Sequence, residues 1–182
     1  MSVAIRPLTY EDLIQIPEDG KRYEIIGGEL VVTAAPVKKH QKLSKRLADV
    51  LYEQEKAGLG EMYYAPVDVR LSTNGIVQPD LLFIRQERLG IYLPSGLVEG
   101  APDIVVEILS PSTRGIDLVR KAALYAREGV PEYWVADPDA PALTIYVLRE
   151  GRYEPVPAEP GTARSLVLPD LVVDLGALFA DL

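Results

Sequence analysis

Apolar residues recur along the chain at two spacings, and each spacing predicts a different kind of element. In HQKLSKRLADVLYEQEKAG, Leu43, Leu47, Val50 and Leu51 form one stripe at helical spacing, which predicts a helix over 39–57 ended by Gly58. DLVRKAALYAREG predicts a second helix within 116–128, with Gly129 as its cap. A short helix opens the chain in PLTYEDLIQIP, where Thr9 and Asp12 occupy the capping-box positions and Pro17 is the stop. RYEIIGGELVVTAAP reads as two short strands around Gly27-Gly28, a tight hairpin signal. Residues 61–70 and 76–84 are strand candidates joined by the turn STNG, whereas RQERLGIYLPSGLVEGAP has little periodicity and reads as a loop. DIVVEILS, PEYWVADP, LTIYVLREG and RYEPV complete the strands, with residues 142–154 as an edge hairpin. SLVLPDLVVDLGALFADL closes the chain with a strand and a short helical tail.

This order predicts a mixed α/β fold, its centre built of strands and covered by the two longer helices. With 182 residues and 48% hydrophobic side chains the chain can bury a core, and no linker or repeat divides it, so one domain over 1–182 is expected. No cysteine is present, which excludes thiol nucleophiles, disulfides and thiolate metal sites, and the one histidine excludes a multi-histidine cage within the chain. MSVAIRPLTYEDL lacks a long apolar run, and no later run approaches the ~18 apolar residues of a membrane span. A cytoplasmic protein without a membrane partner is expected.

The formal charge of −8 argues against a broadly basic nucleic-acid coat protein. Its distribution softens that inference. Residues 1–60 carry nine basic and nine acidic side chains, so the ten basic and eighteen acidic residues of 61–182 account for the whole excess. Positive charge gathers at 38–46 and 114–127.

Two carboxylates stand out. Strand periodicity places Asp103, Val105, Glu107 and Leu109 on one face of DIVVEILS, so Glu107 sits within an apolar strand, where a lone carboxylate is costly. Asp80 in VQPDLLFI has the same problem, and Pro79 limits backbone pairing beside it. Brought together from neighbouring strands, the two would repel unless a hard cation such as Mg²⁺ or Mn²⁺, or a shared proton, intervened. The plainer reading is that each accepts hydrogen bonds at a strand end or pairs with Arg120 or Lys121. Lys121 lies four residues after Asp117, which suits either an ordinary helical ion pair or a cation placed beside the acids. His40 opens the long helix among five Lys or Arg in nine residues and reads as a surface or capping residue, or as a phosphate contact. Ser110 and Ser112 have no nucleophile-elbow context, so a serine hydrolase is a poor fit.

VQPD, VVEILSPST, the Asp117 to Lys121 spacing and GVPEYWVADP together resemble the Uma2 family of the PD-(D/E)XK, restriction-endonuclease-like superfamily. RYEIIGGEL and APVKKHQKLSKRL extend the resemblance over nearly the whole chain. It implies a mixed sheet flanked by helices, with extra hairpins, and Mg²⁺-dependent (or Mn²⁺-dependent) cleavage of nucleic acid, DNA being the expected partner. Asp80 and Glu107 then correspond to the motif acids and metal ligands, with the Ile108 carbonyl as a further oxygen. The position two residues after the second acid, normally lysine, is Leu109 here. Lys121 on the following helix is the replacement the resemblance suggests, Glu24 a further acid of the pocket, and Gln78 a residue of matching parity. Lys38, Lys39, His40, Lys42, Lys45 and Arg46, with Arg114, Arg120 and Arg127, are candidate contacts to the nucleic-acid backbone.

Three readings follow. The chain is a metal-dependent endonuclease acting as a dimer, a nuclease-fold binding or assembly module that has lost catalysis, or a metal-dependent hydrolase of a small nucleotide.

Overall fold

A computed structural model describes residues 6–33 and 37–182; the expectations that touch MSVAI at the start and the end of VVTAAP fall outside them. Helix α1 (Tyr10–Leu13) carries the expected Thr9–Asp12 capping box. Strands β1 (Arg22–Ile26) and β2 (Glu29–Thr33) form the expected hairpin. Its two linking residues need positive φ, which Gly27 and Gly28 adopt at 64° and 81°. Helix α2 (Lys38–Lys56) buries Leu43, Leu47 and Leu51 of the predicted stripe, with Val50 half-buried, and also His40.

Both of the next predicted strands are broken. Residues 61–70 become β3 (Gly60–Tyr64) and β4 (Val69–Ser72), with Pro66 between them. Residues 76–84 become β5 (Gly75–Val77) and β6 (Leu81–Arg85), and Gln78-Pro79-Asp80 is the crossing between two different sheets. Asp80 is therefore not within a strand, as expected, but at the hinge immediately before one. Proline supplies no N–H for a ladder, so the chain leaves one sheet and enters the other there. The predicted loop also holds structure: a 3-10 turn over Gln86–Ile91 and a short strand β7 (Val98–Glu99).

The larger sheet runs β11–β10–β9–β8–β6–β3, with β8 (Ile104–Ile108), β9 (Glu132–Asp137), β10 (Ala142–Arg149) and β11 (Arg152–Pro155). β8 and β9 are parallel and the other pairs antiparallel; β10–β11 is the expected edge hairpin. A second sheet, β2–β1–β5–β4–β7, stands beside it. Alternation along β8 and β6 divides the core. Ile104, Val106, Ile108, Leu81 and Phe83 face the α2 leucines and the C-terminal segment, while Val105, Leu109, Leu82 and Ile84 face the second sheet's Ile26, Val69 and Val77. Glu107 and Asp80 share parity with this second group.

The predicted helix over 116–128 is a π-helical turn, Ile116–Lys121, continuing into α3 (Ala122–Arg127). At the C-terminus, β12 (Thr162–Arg164) and β13 (Val172–Asp174) pair, and α4 (Leu175–Phe179) packs with them against α2. Fully buried Glu132 fixes this segment, accepting hydrogen bonds from Trp134 Nε1, Ser165 Oγ and the Leu166 and Val167 amides. Among the described residues no helix is long and apolar enough to cross a membrane.

Candidate active site

The register brings the two motif acids together. Leu81 faces Val106 and Leu82 faces Val105, so one further step along the same ladder sets Asp80 opposite Glu107. Both are buried, at 6% and 3% exposure, which a strand end in water would not require. β1 contributes Glu24, also buried, whose Oε1 accepts from the Gln78 amide at 2.7 Å. The π-helical turn contributes Asp117 and Lys121. Extra width in a helix at such a turn re-aims side chains, a common device at functional sites.

Lys121 is the hub. Its Nζ lies 2.9 Å from Glu24 Oε1, 3.0 Å from Glu107 Oε1 and 3.7 Å from Asp117 Oδ1. The i,i+4 pair with Asp117 thus exists, but it is buried and forms one arm of a three-acid clasp. Tyr125, a further four residues along, donates its hydroxyl to Glu107 Oε1 at 2.6 Å. Asp80 is held separately. Its Oδ1 accepts from Arg22 at 2.9 Å, and its Oδ2 meets His40 Nε2 at 3.0 Å and accepts from the Ile108 amide at 2.9 Å.

Burial and neighbouring charge set the protonation of these groups. Burial pushes the Glu107 carboxyl well above its ordinary value, helped by Asp117, Asp80 and Glu24 and opposed by Lys121. Asp117 is raised chiefly by burial as well. Lys121 is disfavoured as a cation by burial, yet Glu107, Glu24 and Asp117 outweigh that and hold its proton more tightly. For Asp80 burial acts upward, but His40, the Ile108 amide and Arg22 prevail and keep the carboxyl below the usual range. Four buried acids face one lysine and one arginine, and the raised Glu107 and Asp117 carboxyls ease that imbalance by holding a proton more readily.

These residues line a cavity of about 210 Å³ whose rim includes Val37, Ser110, Ser112 and Thr113. Their chemistry suits a hard cation, because the donors are anionic oxygens. Their grouping does not make a ready cage. Both Asp80 oxygens already accept protein hydrogen bonds, and among the described residues no three Asp, Glu or His side chains are arranged as a metal-ligand set. The Ile108 amide, as distinct from the carbonyl that the resemblance offered as a ligand, donates to Asp80.

Asp80, Glu107, Lys121, Glu24 and Gln78 therefore meet in one cavity, as the sequence suggested. His40 is not a surface or capping residue but a buried partner of Asp80. Arg120 pairs with Glu29 rather than with either motif acid. Leu109 is buried in the apolar core between the sheets and leaves the cationic position to Lys121. The other basic candidates do not line the cavity. Lys39 reaches Asp139, Lys42 and Arg46 reach the carbonyls of Asp181 and Leu178, Arg114 pairs with Asp137, Arg127 with Glu128, and Lys38 and Lys45 are exposed on α2. Arg22 and Tyr125 escaped sequence reasoning, although both carried a signal: Arg22 shares strand parity with Glu24, and Tyr125 follows Lys121 by one helical turn.

The fold has a known counterpart. A crystal structure of "a putative nuclease belonging to DUF820" from Anabaena variabilis ATCC 29413 superposes with a TM-score of 0.80 at 18% identity, covering 95% of this chain and 98% of that one. That likeness shows the fold, a restriction-endonuclease-like mixed sheet with flanking helices and added hairpins. No curated protein matches the chain. The model of the Uma2 family, described as "Putative restriction endonuclease", matches residues 10–176. That match spans most of the chain and agrees with the fold, so the chain belongs to the Uma2 family of the PD-(D/E)XK, nuclease-like superfamily.

Proposed function

We propose that the cavity engages a nucleic-acid phosphodiester and that the protein hydrolyses it as a divalent-cation-dependent endonuclease, with DNA as substrate. The observation that carries this reading is the buried charge. Four carboxylates and a lysine under the surface cost desolvation that their mutual pairing does not fully return, and an apolar filling of the same space would be at least as stable. A cluster of this kind answers to chemistry rather than to stability.

Asp80 and Glu107 are the acids that would hold Mg²⁺ or Mn²⁺, which when bound polarises the phosphate and lowers the pKa of water. Lys121 holds its proton against burial and so presents a fixed positive charge beside the acids, suited to offset charge developing on a phosphate oxygen. Tyr125 and Lys121 both donate to Glu107 Oε1 and fix that carboxyl. Arg22 and His40 do the same for Asp80 and are positioning residues in this reading.

Ligand grouping taken alone supports the second reading better: a nuclease-fold module that binds without turnover. Asp80 must exchange protein partners before it can hold a cation, whereas binding requires no such exchange. Incubation of single- and double-stranded DNA with Mg²⁺ or Mn²⁺ separates the two. Cleavage by the wild type that disappears in Asp80→Asn and in Glu107→Gln supports the hydrolase. Salt-sensitive DNA binding with no cleavage in either metal establishes the binding module in its place.

A further inference from the structure

Beside the catalytic cavity lies a second and larger space. It holds about 490 Å³ and opens between the segment joining α1 to β1 and the stretch that leads into β4. Arg22 and Gln78 line both spaces, so the two are neighbours across a shared wall. Ile14, Ile16, Pro17 and Pro66 give the second one an apolar lining. Ile14, at the C-cap of α1, is 62% exposed, so most of its apolar surface meets water, a cost that the apolar face of a ligand would relieve.

The polar side of this cleft accepts hydrogen bonds. Gln78 Nε2 donates to Asp68 Oδ1 at 2.8 Å and orients the carboxylate, and half-buried Asp68 has no cation partner among the described residues. Glu18 lies on the same cleft, and Lys21 there is paired with Asp19. The two acids repel a phosphate. The group that suits this space is neutral, apolar on its faces and equipped with N–H donors along one edge. Nucleobases have that form. Among them guanine presents two adjacent donors, N1–H and N2–H, which match the two oxygens of one carboxylate. Adenine and cytosine set a ring acceptor beside their amino group, and thymine flanks its N–H with carbonyls, so each turns an acceptor toward a carboxylate oxygen.

We propose that this cleft is a nucleobase subsite that takes the base of a nucleotide next to the phosphate in the catalytic cavity and, through Asp68, favours guanine. The base packs against Ile14 and Pro66 with its Watson–Crick edge toward Asp68. A duplex occupies that edge with pairing, so the subsite takes an unpaired base. A guanidinium carries several N–H donors, and Arg22 directs one to Asp80, which leaves others for the sugar-phosphate joining the two spaces. The inference rests on the proposed function in taking a nucleic acid as the ligand, and not on turnover.

Fluorescence anisotropy of labelled single-stranded DNA pentamers tests this, with full-length protein in Ca²⁺ and strand integrity checked by electrophoresis. The strand TTGTT should bind about tenfold more tightly than TTTTT, within the range for one bidentate contact to a base edge. A counterpart with hypoxanthine for guanine lacks the N2 amino group and should fall between them. Asp68→Asn keeps the side chain's shape but turns one acceptor into a donor. It should hold Tm, abolish the guanine preference and leave affinity for TTTTT within about twofold. Ile14→Ser, at an exposed position, should weaken TTGTT several-fold and leave an abasic pentamer of equal phosphate number unchanged. Equal binding of TTGTT and TTTTT overturns the proposal, as does a guanine preference that survives Asp68→Asn. Either result leaves the hydrolase standing, because affinity and cleavage are read separately. A guanine preference lost in Asp68→Asn, with no cleavage in Mg²⁺ or Mn²⁺, supports the subsite and removes only the hydrolase. Failure of every strand to bind removes the nucleic-acid reading and this inference with it.

Discussion

Lys121→Met tests the clasp directly. The methionine retains most of the stem's volume, so the loss is chiefly of charge and of two hydrogen-bonding contacts within 3.0 Å, to Glu24 and Glu107, with Asp117 at 3.7 Å. Lys121 is 4% exposed, so only water from the adjoining cavity can reach the place of the ammonium. Removing one partner of a buried pair costs about 3–5 kcal/mol, because the opposing charge is left behind. Glu107 provides a partial escape by taking a proton, and its folded pKa, already raised by burial, rises further without the lysine. A carboxyl whose folded pKa lies above its unfolded one contributes most below the ordinary carboxylate value and loses that contribution as pH rises through the folded pKa. Lys121→Met should therefore lose more stability at pH 8 than at pH 5. Urea denaturation at the two pH values measures this, and the double variant Lys121→Met/Glu107→Gln should lose less than the sum of the single losses. A loss under about 1 kcal/mol, set against the cost of a broken buried pair, or an equal loss at both pH values, would refute the reasoning.

Asp80→Asn should also lose less in acid, for the converse reason: the lowered folded pKa makes Asp80 stabilising above the ordinary carboxylate range, so wild type and variant converge as a denaturation series moves from pH 7 into acid. Tyr125→Phe deletes one hydroxyl donated to Glu107 and creates no large cavity, so denaturation should show a loss of about 1.5–3 kcal/mol, the range for hydrogen bonds to charged groups. Leu109→Lys restores the lysine spacing of the family motif, but it places an ammonium among buried apolar side chains where Lys121 already serves the acids. Denaturation should show a loss of roughly 2 kcal/mol or more, and DNA cleavage assays should show no gain in rate.

The long elements were legible because their periodicity is strong: the α2 stripe, the Gly27-Gly28 hairpin and the apolar strand around Glu107 all form as the sequence predicts. The breaks were not. Residues 76–84 read as one apolar run, and only the Pro79 punctuation hinted that the chain changes sheets there. Periodicity reports which face is buried but not which sheet does the burying, so the hinge that aims Asp80 was hidden. The π-helical turn was hidden for a similar reason, since Leu118 and Val119 are exposed and the local pattern does not distinguish a π turn from an α turn. In the site, the acids and Lys121 could be named from the chain because buried charge in apolar surroundings is conspicuous. Their partners could not. The Arg22–Asp80 and His40–Asp80 contacts span 58 and 40 residues, and only the folded register brings them together. The basic run at 38–46 misled, because a string of lysines and arginines serves equally to hold a C-terminal segment, as Lys42 and Arg46 do.

The central claim is that Asp80 and Glu107 form a cation site once Asp80 exchanges its protein partners. A crystal structure with Mn²⁺, read by anomalous scattering, tests it most directly. The account predicts one manganese peak between the two carboxylates, with Lys121 still clasped to Glu107 and at least one of Arg22 and His40 moved away from Asp80. A site without manganese at saturating concentration, with the Arg22–Asp80 and His40–Asp80 contacts intact, would contradict it.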